Sequence, residues 1–501
     1  MTDTYGDATR RFLAAIDHRK PEPIDWDSAP PRYKRYRGTT RTALPTAGPQ
    51  SWKDDLLRGL LGLTRVSWSY PADEAGRFLP GPRSVRVGRP VASGGALYPI
   101  EAYLADETAI HHYDTVHHAL ETVRGGDHRS ALLPQGGTVD AALILTAVFW
   151  RNGFKYRDFA YRLQCQETGA LCAQALTLAD QLRLRSALHL DLDTERADTL
   201  LGLDPRAEGA LAALTIATGD SAATAGTAAP VQLLTTTQAH LSTAQAVDLP
   251  VPVTRLLPHL AELHTVSGRQ VAGRPLSPPT GQDPPVPGGP VIPLPPVAAV
   301  DLTHGIGRRA SPLNGYQPRP ITATDLTQIL TSARPSGRTT TGLYVLIWNV
   351  TGIPPGAYRY DPTRLLLTGS GPAVPDQTPL AANTRHALRN ATAALIPVGA
   401  PLTEATHCGD VAYRLQQTET GMVTHRAALA AAVLGLTSRI HSDAANPSTG
   451  AVLGLQGTPW RPLSFLLIGH PRTNEPALPA PAGPERGATL PVHEQEPHIK
   501  E

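Results

Sequence analysis

A chain of 501 residues has room for two or more hydrophobic cores. Its 45 Lys and Arg against 43 Asp and Glu leave a net charge of +2, which gives no global field for nucleic acid or an anionic membrane, and no apolar run is long enough to span a bilayer. Residues 1–20 mix charges and lack an apolar signal core, so a cytoplasmic protein is expected; Cys165, Cys172 and Cys408 make neither a disulfide framework nor, without a His or Cys cluster beside them, a metal site.

Residues 1–45 are polar and then basic. Arg32-Tyr33-Lys34-Arg35-Tyr36-Arg37 reads as a solvated cationic arm with its tyrosines laid on the body. Leu56, Leu57, Leu60, Leu61 and Leu63 form one stripe and predict an amphipathic helix over Trp52–Thr64. Residues 66–88, rich in Gly, Pro and Arg, predict an irregular loop. Next, Ala92-Ser93-Gly94-Gly95-Ala96 has almost no side-chain bulk, and Leu97–Leu104 alternates as a strand does. Two adjacent glycines before a strand let the backbone come close to something flat or charged; the plainer reading is a tight turn. A second apolar run, Ala141–Trp150, leads into Arg151-Asn152-Gly153-Phe154-Lys155-Tyr156-Arg157, with Lys-Tyr opening a helix. Long helices with Ala/Leu stripes are predicted over Tyr161–Leu184 and Tyr413–Leu436. Between them come a strand, Leu211–Thr218, an Ala/Thr/Gly-rich run at 222–229, and a short helix within Leu249–Leu263. Pro275–Pro296 is too rich in Pro and Gly for helix or sheet and predicts an extended linker. A helix over Ile321–Ala333, a final strand over Ser464–Gly469 and a disordered Pro-rich tail over 474–501 complete the pattern.

The chain repeats itself. Ala160-Tyr161-Arg162-Leu163-Gln164 with Glu167-Thr168-Gly169 recurs as Ala412-Tyr413-Arg414-Leu415-Gln416 with Glu419-Thr420-Gly421, an offset of 252. His189 recurs as His441 and Leu201-Gly202-Leu203 as Leu453-Gly454-Leu455 at that same offset. Upstream, Tyr113-Asp114 pairs with Tyr360-Asp361 at 247, and Ala96-Leu97-Tyr98 with Gly342-Leu343-Tyr344 at 246. A nearly constant offset implies duplication. The expected division is a basic arm at 1–45, a first domain at 46–219, a linker at 220–300, a second domain at 301–473 and a tail at 474–501. Strands separated by helices predict an α+β class with a mixed sheet.

Ser93-Gly94-Gly95-Ala96-Leu97-Tyr98-Pro99, together with Arg151 through Lys155-Tyr156 to Tyr161-Arg162, resembles the SagB-type flavin dehydrogenases, the azoline dehydrogenases of the nitroreductase-like superfamily. The resemblance extends over about residues 33–472, and Ala92 stands where that family has proline. It implies two tandem nitroreductase-like domains forming an internal pseudo-dimer with FMN between them. It also implies oxidation of thiazolines or oxazolines in a ribosomal peptide to the aromatic azoles, with dioxygen reoxidising the flavin. The expected partners are an azoline-bearing precursor peptide and, as a further candidate, a cyclodehydratase complex.

The two halves differ where such a site would lie. At 246, Ser93-Gly94-Gly95 faces Thr339-Thr340-Thr341; at 252, Lys155-Tyr156 faces His407-Cys408. The second half opens instead with Arg308-Arg309-Ala310-Ser311. The resemblance implies that Arg309 and Ser311 hold the FMN phosphate, with Arg472 a further candidate, and that Ala92, Ser93, Gly94 and Gly95 face the ring. Arg65-Val66-Ser67 also spells Arg-x-Ser but follows its helix and is set aside. One intact flavin site per chain is therefore expected, the other having decayed; the alternative is neutral drift with both sites or neither. Lys155 and Tyr156 are the catalytic candidates. Arg151 and Arg157 nearby would depress the lysine and stabilise a tyrosinate, and either group could be the base. Competing functions are another flavin reaction, on a dehydroamino acid or a carrier-bound intermediate, and a flavin-free scaffold in a peptide-modifying complex.

Overall fold

The computed structural model describes residues 5–19, 22–45, 51–69, 80–81, 84–132, 139–218, 245–246, 251–271, 280, 283–285, 288–312, 315–334, 339–368, 378, 380–472 and 477–479. Twelve α-helices lie among these residues, including α1 (Asp7–Asp17), α2 (Trp52–Leu61), α3 (Trp150–Tyr156), α4 (Ala160–Gln181), α5 (Pro258–Val271), α6 (Ala323–Ala333), α7 (Pro401–Cys408) and α8 (Val411–Val433). Seven strands form the first sheet: β1 (Arg41–Ala43), β2 (Ile100–Ala105), β3 (Ala109–Asp114), β4 (Ala119–Gly125), β5 (Ala141–Val148), β6 (Arg185–His189) and β7 (Glu208–Ala217). The second sheet holds β8 (Val291–Pro293), β9 (Gly342–Ile347), β10 (Gly356–Asp361), β11 (Arg364–Leu367), β12 (Ala393–Gly399), β13 (Thr437–Ile440) and β14 (Leu466–Pro471).

The first sheet runs β1-β4-β3-β2-β5-β7-β6 and the second β8-β11-β10-β9-β12-β14, with β13 also on β14. The second sheet also takes 316–317 on β14 and 461–462 on β12; its other seven strands follow the order of the first. Every pairing among these strands is antiparallel, not mixed as expected. Hairpin links between β2, β3 and β4 and again between β9, β10 and β11 impose that direction, and long connections carry the helices. The described parallel pair is short and peripheral, joining 321–322 to 350–351.

The long helices α4 and α8 are buried on nearly all sides, as helices at the centre of a large core must be. They cross against each other through glycine. A Cβ at Gly169 would lie 1.8 Å from the carbonyl oxygen of Thr418, and a Cβ at Gly421 would lie 1.9 Å from that of Gln166. Both glycines and both partners are repeat equivalents, so the contact is its own mirror, as an isologous interface requires. Tyr161 and Tyr413, also equivalents, stack with centroids 6.5 Å apart and planes 13° from parallel. Phe12 of α1 meets both rings edge-on.

The segments outside the two predicted domains are also built in. Asp410 accepts the N–H groups of Gly6 and Thr9 and so caps α1; its equivalent Asp158 accepts Leu260 N–H and caps α5. A carboxylate at a helix N-terminus satisfies orphan donors and meets the positive end of the dipole. The helix foreseen in 249–263 thus forms eight to nine residues later in the chain, at Pro258–Val271, and belongs to the core. Lys34 is not solvated: its ammonium is buried, 2.7 Å from Glu208 and 2.6 Å from the Tyr103 hydroxyl. The loop expected at 66–88 contains a hairpin, Arg65–Ser69 with Ser84–Gly88, and 477–479 of the expected disordered tail adds a third strand to it. Within the proline-rich linker, Val291–Pro293 pairs as an edge strand, where a proline can be tolerated. The remainder of the tail and the 222–229 run lie outside the described residues.

Gly169→Val should remove the backbone contact between α4 and α8. Overpacking costs about 1–3 kcal/mol, occasionally more, and here the clash is with main chain that cannot swing aside, so a clear drop in Tm is expected by calorimetry. An unchanged Tm would show that the helices do not depend on the crossing.

Candidate functional site

The glycine loop is bent by its own backbone. Gly94–Ala96 makes one 3-10 turn, with Gly95 at φ +67°, Ala96 at +55° and Tyr98 at +49°. Left-handed conformations at non-glycine residues are costly and persist only where the surroundings enforce them. Three clamps do so here. The Ser93 hydroxyl donates to Glu167 Oε2 at 2.6 Å and accepts Tyr98 N–H at 2.8 Å. The Tyr98 hydroxyl accepts Arg89 N–H at 3.2 Å. Arg151 donates to the Tyr98 carbonyl at 3.2 Å while its guanidinium pairs with buried Glu101. Glu101 also bonds His112, which bonds Glu121 on its other side. Burial alone would raise the Glu101 carboxyl, but Arg151 and His112 hold it well below its usual range.

Tyr156 comes to this loop: a Cβ on Gly95 would lie 2.6 Å from its hydroxyl oxygen. Burial pushes the Tyr156 phenol up, against the opposing charges of Arg19 and Arg439. The expected tyrosinate is therefore not favoured, because the ring is taken out of water and Asp443 and Glu167 add repulsion. Lys155 lies with its ammonium 5.3 Å from the Trp26 ring centroid and 5.6 Å from that of Tyr156. Arg151 and Arg157 are not the like-charge neighbours expected, since Glu101 neutralises one and Glu22 the other, at 3.1 Å. Lys155 and Tyr156 close α3 rather than open a helix; Arg157, at φ +53°, turns the chain before α4.

Arg309, from the second half, reaches this same place. Its Nε donates to Pro90 O at 2.7 Å, two residues before Ala92, and its NH1 lies 3.3 Å from the Ser311 hydroxyl. The loop carrying it is fixed by Thr437, which donates to Ala310 O at 2.7 Å, and by Arg439, which donates to Pro312 O at 3.0 Å. Burial, and then the charge of Arg65, lower the Arg309 guanidinium to about 10. Arg472 donates to Tyr316 O at 3.2 Å beside the strand pair 316–317 and 470–471, and among the described residues no hydrogen bond joins it to Arg309 or Ser311. Arg89 has its Nε and NH1 buried without a hydrogen-bond partner among the described residues, its guanidinium 4.8 Å from the Tyr98 ring.

The second half is built differently. Sheet register pairs Ala105 with Ala142 and Leu346 with Ala394, which makes Glu101-Ala102-Tyr103 the equivalents of Gly342-Leu343-Tyr344. The upstream offset of 246 is thereby corrected to 241. Glu419, the equivalent of Glu167, accepts the N–H and hydroxyl groups of Thr340 and Thr341. Ser93 therefore matches these threonines, and residues 94–100 have almost no counterpart. The glycines are not replaced by threonine; most of their loop is absent. Around the equivalent of α3 the second half has a cavity of about 690 Å³ lined by Leu402, Thr406, His407, Asp17 and Arg461 among others.

The residues fit the phosphate of a flavin mononucleotide: Arg309 is a buried cation with a hydroxyl beside it and no carboxylate among its described partners, while the space at Gly95 is taken up by the Tyr156 hydroxyl. Among the described residues no group of His, Cys, Asp and Glu could hold a metal. Sequence reasoning missed Glu167, Arg89, Glu101 and Trp26. Only Glu167 had a sequence signal, since it sits inside the repeated motif.

Burial raises the Glu167 carboxyl to about 8 from an ordinary 4.5, against its bond from Ser93. A raised carboxyl holds its proton in the fold, so its contribution to stability falls as pH rises from 4.5 towards about 8. Glu167→Gln should therefore gain stability relative to the parent over that window. Melting curves across pH check this, and a constant difference in Tm would refute it.

No family model matches the chain. It is 32% identical over 149 residues to the microcin B17-processing protein McbC of Escherichia coli, a match covering 25% of this chain and 52% of McbC. The chain thus spans about half the length of the curated relative it matches. The crystal structure of a protein assigned as a nitroreductase from Anabaena variabilis superposes with a TM-score of 0.69 at 20% identity, covering 94% of this chain and 100% of that one. The fold is α+β and nitroreductase-like, and part of it is similar in sequence to a microcin-processing protein.

Proposed function

We propose that the chain is an FMN-dependent oxidoreductase that oxidises thiazolines or oxazolines of a ribosomally made peptide to thiazoles or oxazoles, with dioxygen as the final acceptor. The observation that carries this reading is the bond from Arg309 to Pro90, which brings the second half's Arg-x-Ser to the foot of the first half's glycine loop. On this reading the two halves are tandem domains, 46–219 and 301–473, acting as the two subunits of an internal pseudo-dimer. Arg309 and Ser311 would hold the phosphate and residues 92–95 would lie against the ring; Arg472 is left with a weaker claim. FMN, when bound, supplies the acceptor for a hydride.

The chain's own task is the proton. Burial disfavours a Tyr156 phenolate, so the ring proton is assigned to Lys155 Nζ in its amine form. The ammonium that results is attracted by the faces of Trp26 and Tyr156. Tyr156, as a neutral phenol over Gly95, orients the substrate. The precursor peptide is the proposed substrate and a cyclodehydratase complex the proposed partner, in the cytoplasm. The loss of most of the glycine loop from the second half favours one FMN per chain.

Purified protein should therefore show a flavin-to-chain ratio near one by absorbance. Incubated with an azoline peptide it should remove two hydrogens per ring, read by mass spectrometry, with peroxide formed. Lys155→Ala should keep its flavin and lose at least a hundredfold in rate, about the contribution of a positioned base. Colourless protein that gains no flavin on incubation, or full activity in Lys155→Ala, would overturn the reading.

A further inference from the structure

Arg65 was set aside in the sequence because it follows its helix, yet the fold returns it to Arg309. Arg65 pairs with Gly88 in the hairpin, and Thr64 donates to the Gly88 carbonyl through N–H at 2.9 Å and through its hydroxyl at 3.1 Å. Gly88 is required there: a Cβ would lie 2.8 Å from Arg65 Cγ and 2.9 Å from its Nε. The arginine side chain therefore lies across the backbone of residue 88. Arg309 arrives from the second half and bonds the carbonyl of Pro90, two residues on. Two guanidiniums from different halves converge on the segment 88–90. Neither has a carboxylate partner among the described residues, whereas Arg41, Arg129, Arg151, Arg157, Arg206 and Arg461 each have one. Arg309 is 9% exposed.

Like charges brought together out of water are costly unless something neutralises them. The Ser311 hydroxyl beside Arg309 adds a donor that a carboxylate or phosphate could use. Burial first, and then the charge of Arg65, push the Arg309 guanidinium down to about 10. The hairpin bearing Arg65 belongs to the first half: between α2 and Ser93 the chain has about thirty residues, but between α6 and Thr340 only six. It is also joined to the end of the second half, because Ala477–Pro479 pairs with 65–67.

We infer that Arg65 and Arg309 form one anion site, gripped from both halves, whose ligand is a phosphate monoester. This rests on the flavin reading, and it makes the phosphate grip composite where the sequence assigns it to the second half alone. It also gives the hairpin and the strand 477–479 a purpose, as the cover of that phosphate.

The test uses full-length protein stripped of flavin and titrated with FMN and with riboflavin, which lacks the phosphate, by quenching of flavin fluorescence. Arg65→Met keeps the aliphatic stem over Gly88 and removes the charge. It should lose about ten- to a hundredfold in FMN affinity, the range for a charge-assisted bond, with riboflavin affinity unchanged. Arg65→Lys should recover part of the loss. Inorganic phosphate should raise the Tm of the stripped parent and fail to raise that of Arg65→Met. If Arg65→Met keeps the parent's preference for FMN over riboflavin while Arg309→Ala loses it, the inference falls and the flavin reading stands. If both variants keep the preference, the phosphate assignment falls with it. Equal weakening towards FMN and riboflavin in Arg65→Met would make the residue structural and also overturn the inference.

Discussion

The contact between α4 and α8 at Gly169 and Gly421 fixes everything else in the molecule. With main chain touching main chain, neither helix can slide or roll without moving a glycine off the opposing carbonyl. Each helix carries one sheet's worth of core on its outer faces, so the crossing sets the position of one sheet relative to the other. Close approach also accounts for the neighbours. Tyr161 and Tyr413 can stack only because the axes are near, and Gln166 can donate to Gln417 at 2.8 Å across the seam for the same reason. The helices α1 and α5 then cap the arrangement through Asp410 and Asp158. Each is held by the half that comes later or earlier in the chain than its own neighbours, which interlocks the two.

That geometry brings groups together that are more than two hundred residues apart. Pro90 and Arg309 meet because the crossing lays the start of the second half beside the glycine loop of the first. Tyr156 feels Arg439 and Asp443 for the same reason. A site assembled this way depends on the interface as much as on its own residues. On the proposed reading it also explains how one half could lose its glycine loop and its Lys-Tyr while the other kept its own, since only one of two composite sites would then lose its parts.

Much of this was legible in the sequence, and the unread remainder has physical causes. The repeat at 252 survives because Ala160–Gly169 and its copy form the crossing itself, where every side chain is constrained by the other helix. The register upstream was misread by five residues, because Leu-Tyr occurs at both 97–98 and 343–344 while the strand pairing matches Tyr103 with Tyr344. A one-dimensional match cannot tell a residue in a strand from one in the loop before it. Lys34 reads as solvated because its partner Glu208 lies 174 residues away. The partners of Arg151 and Arg157, Glu101 and Glu22, lie 50 and 135 residues away, so the expected field on Lys155 had no local sign of being cancelled.

The same remoteness explains why the loop of residues 94–100 exists in one half only. Three residues at positive φ need a frame that holds them. In the first half that frame is charged and buried: Arg151 bonds Tyr98 O and Glu101, and Glu101 and Glu121 enclose His112. Burial alone would lower His112, but its two carboxylate partners carry it upward. At the equivalent positions of the second half stand Gly342 for Glu101, Thr403 for Arg151 and Arg359 for His112. No carboxylate remains there to pair with a loop-clamping arginine, and Arg359 turns to Asp283 at 3.7 Å instead. Without the frame a strained loop has nothing to offset its backbone cost, and the short turn of Thr340 and Thr341 on Glu419 satisfies the main chain directly. The buried charge network and the glycine loop are one unit, held together in the first half and absent together from the second.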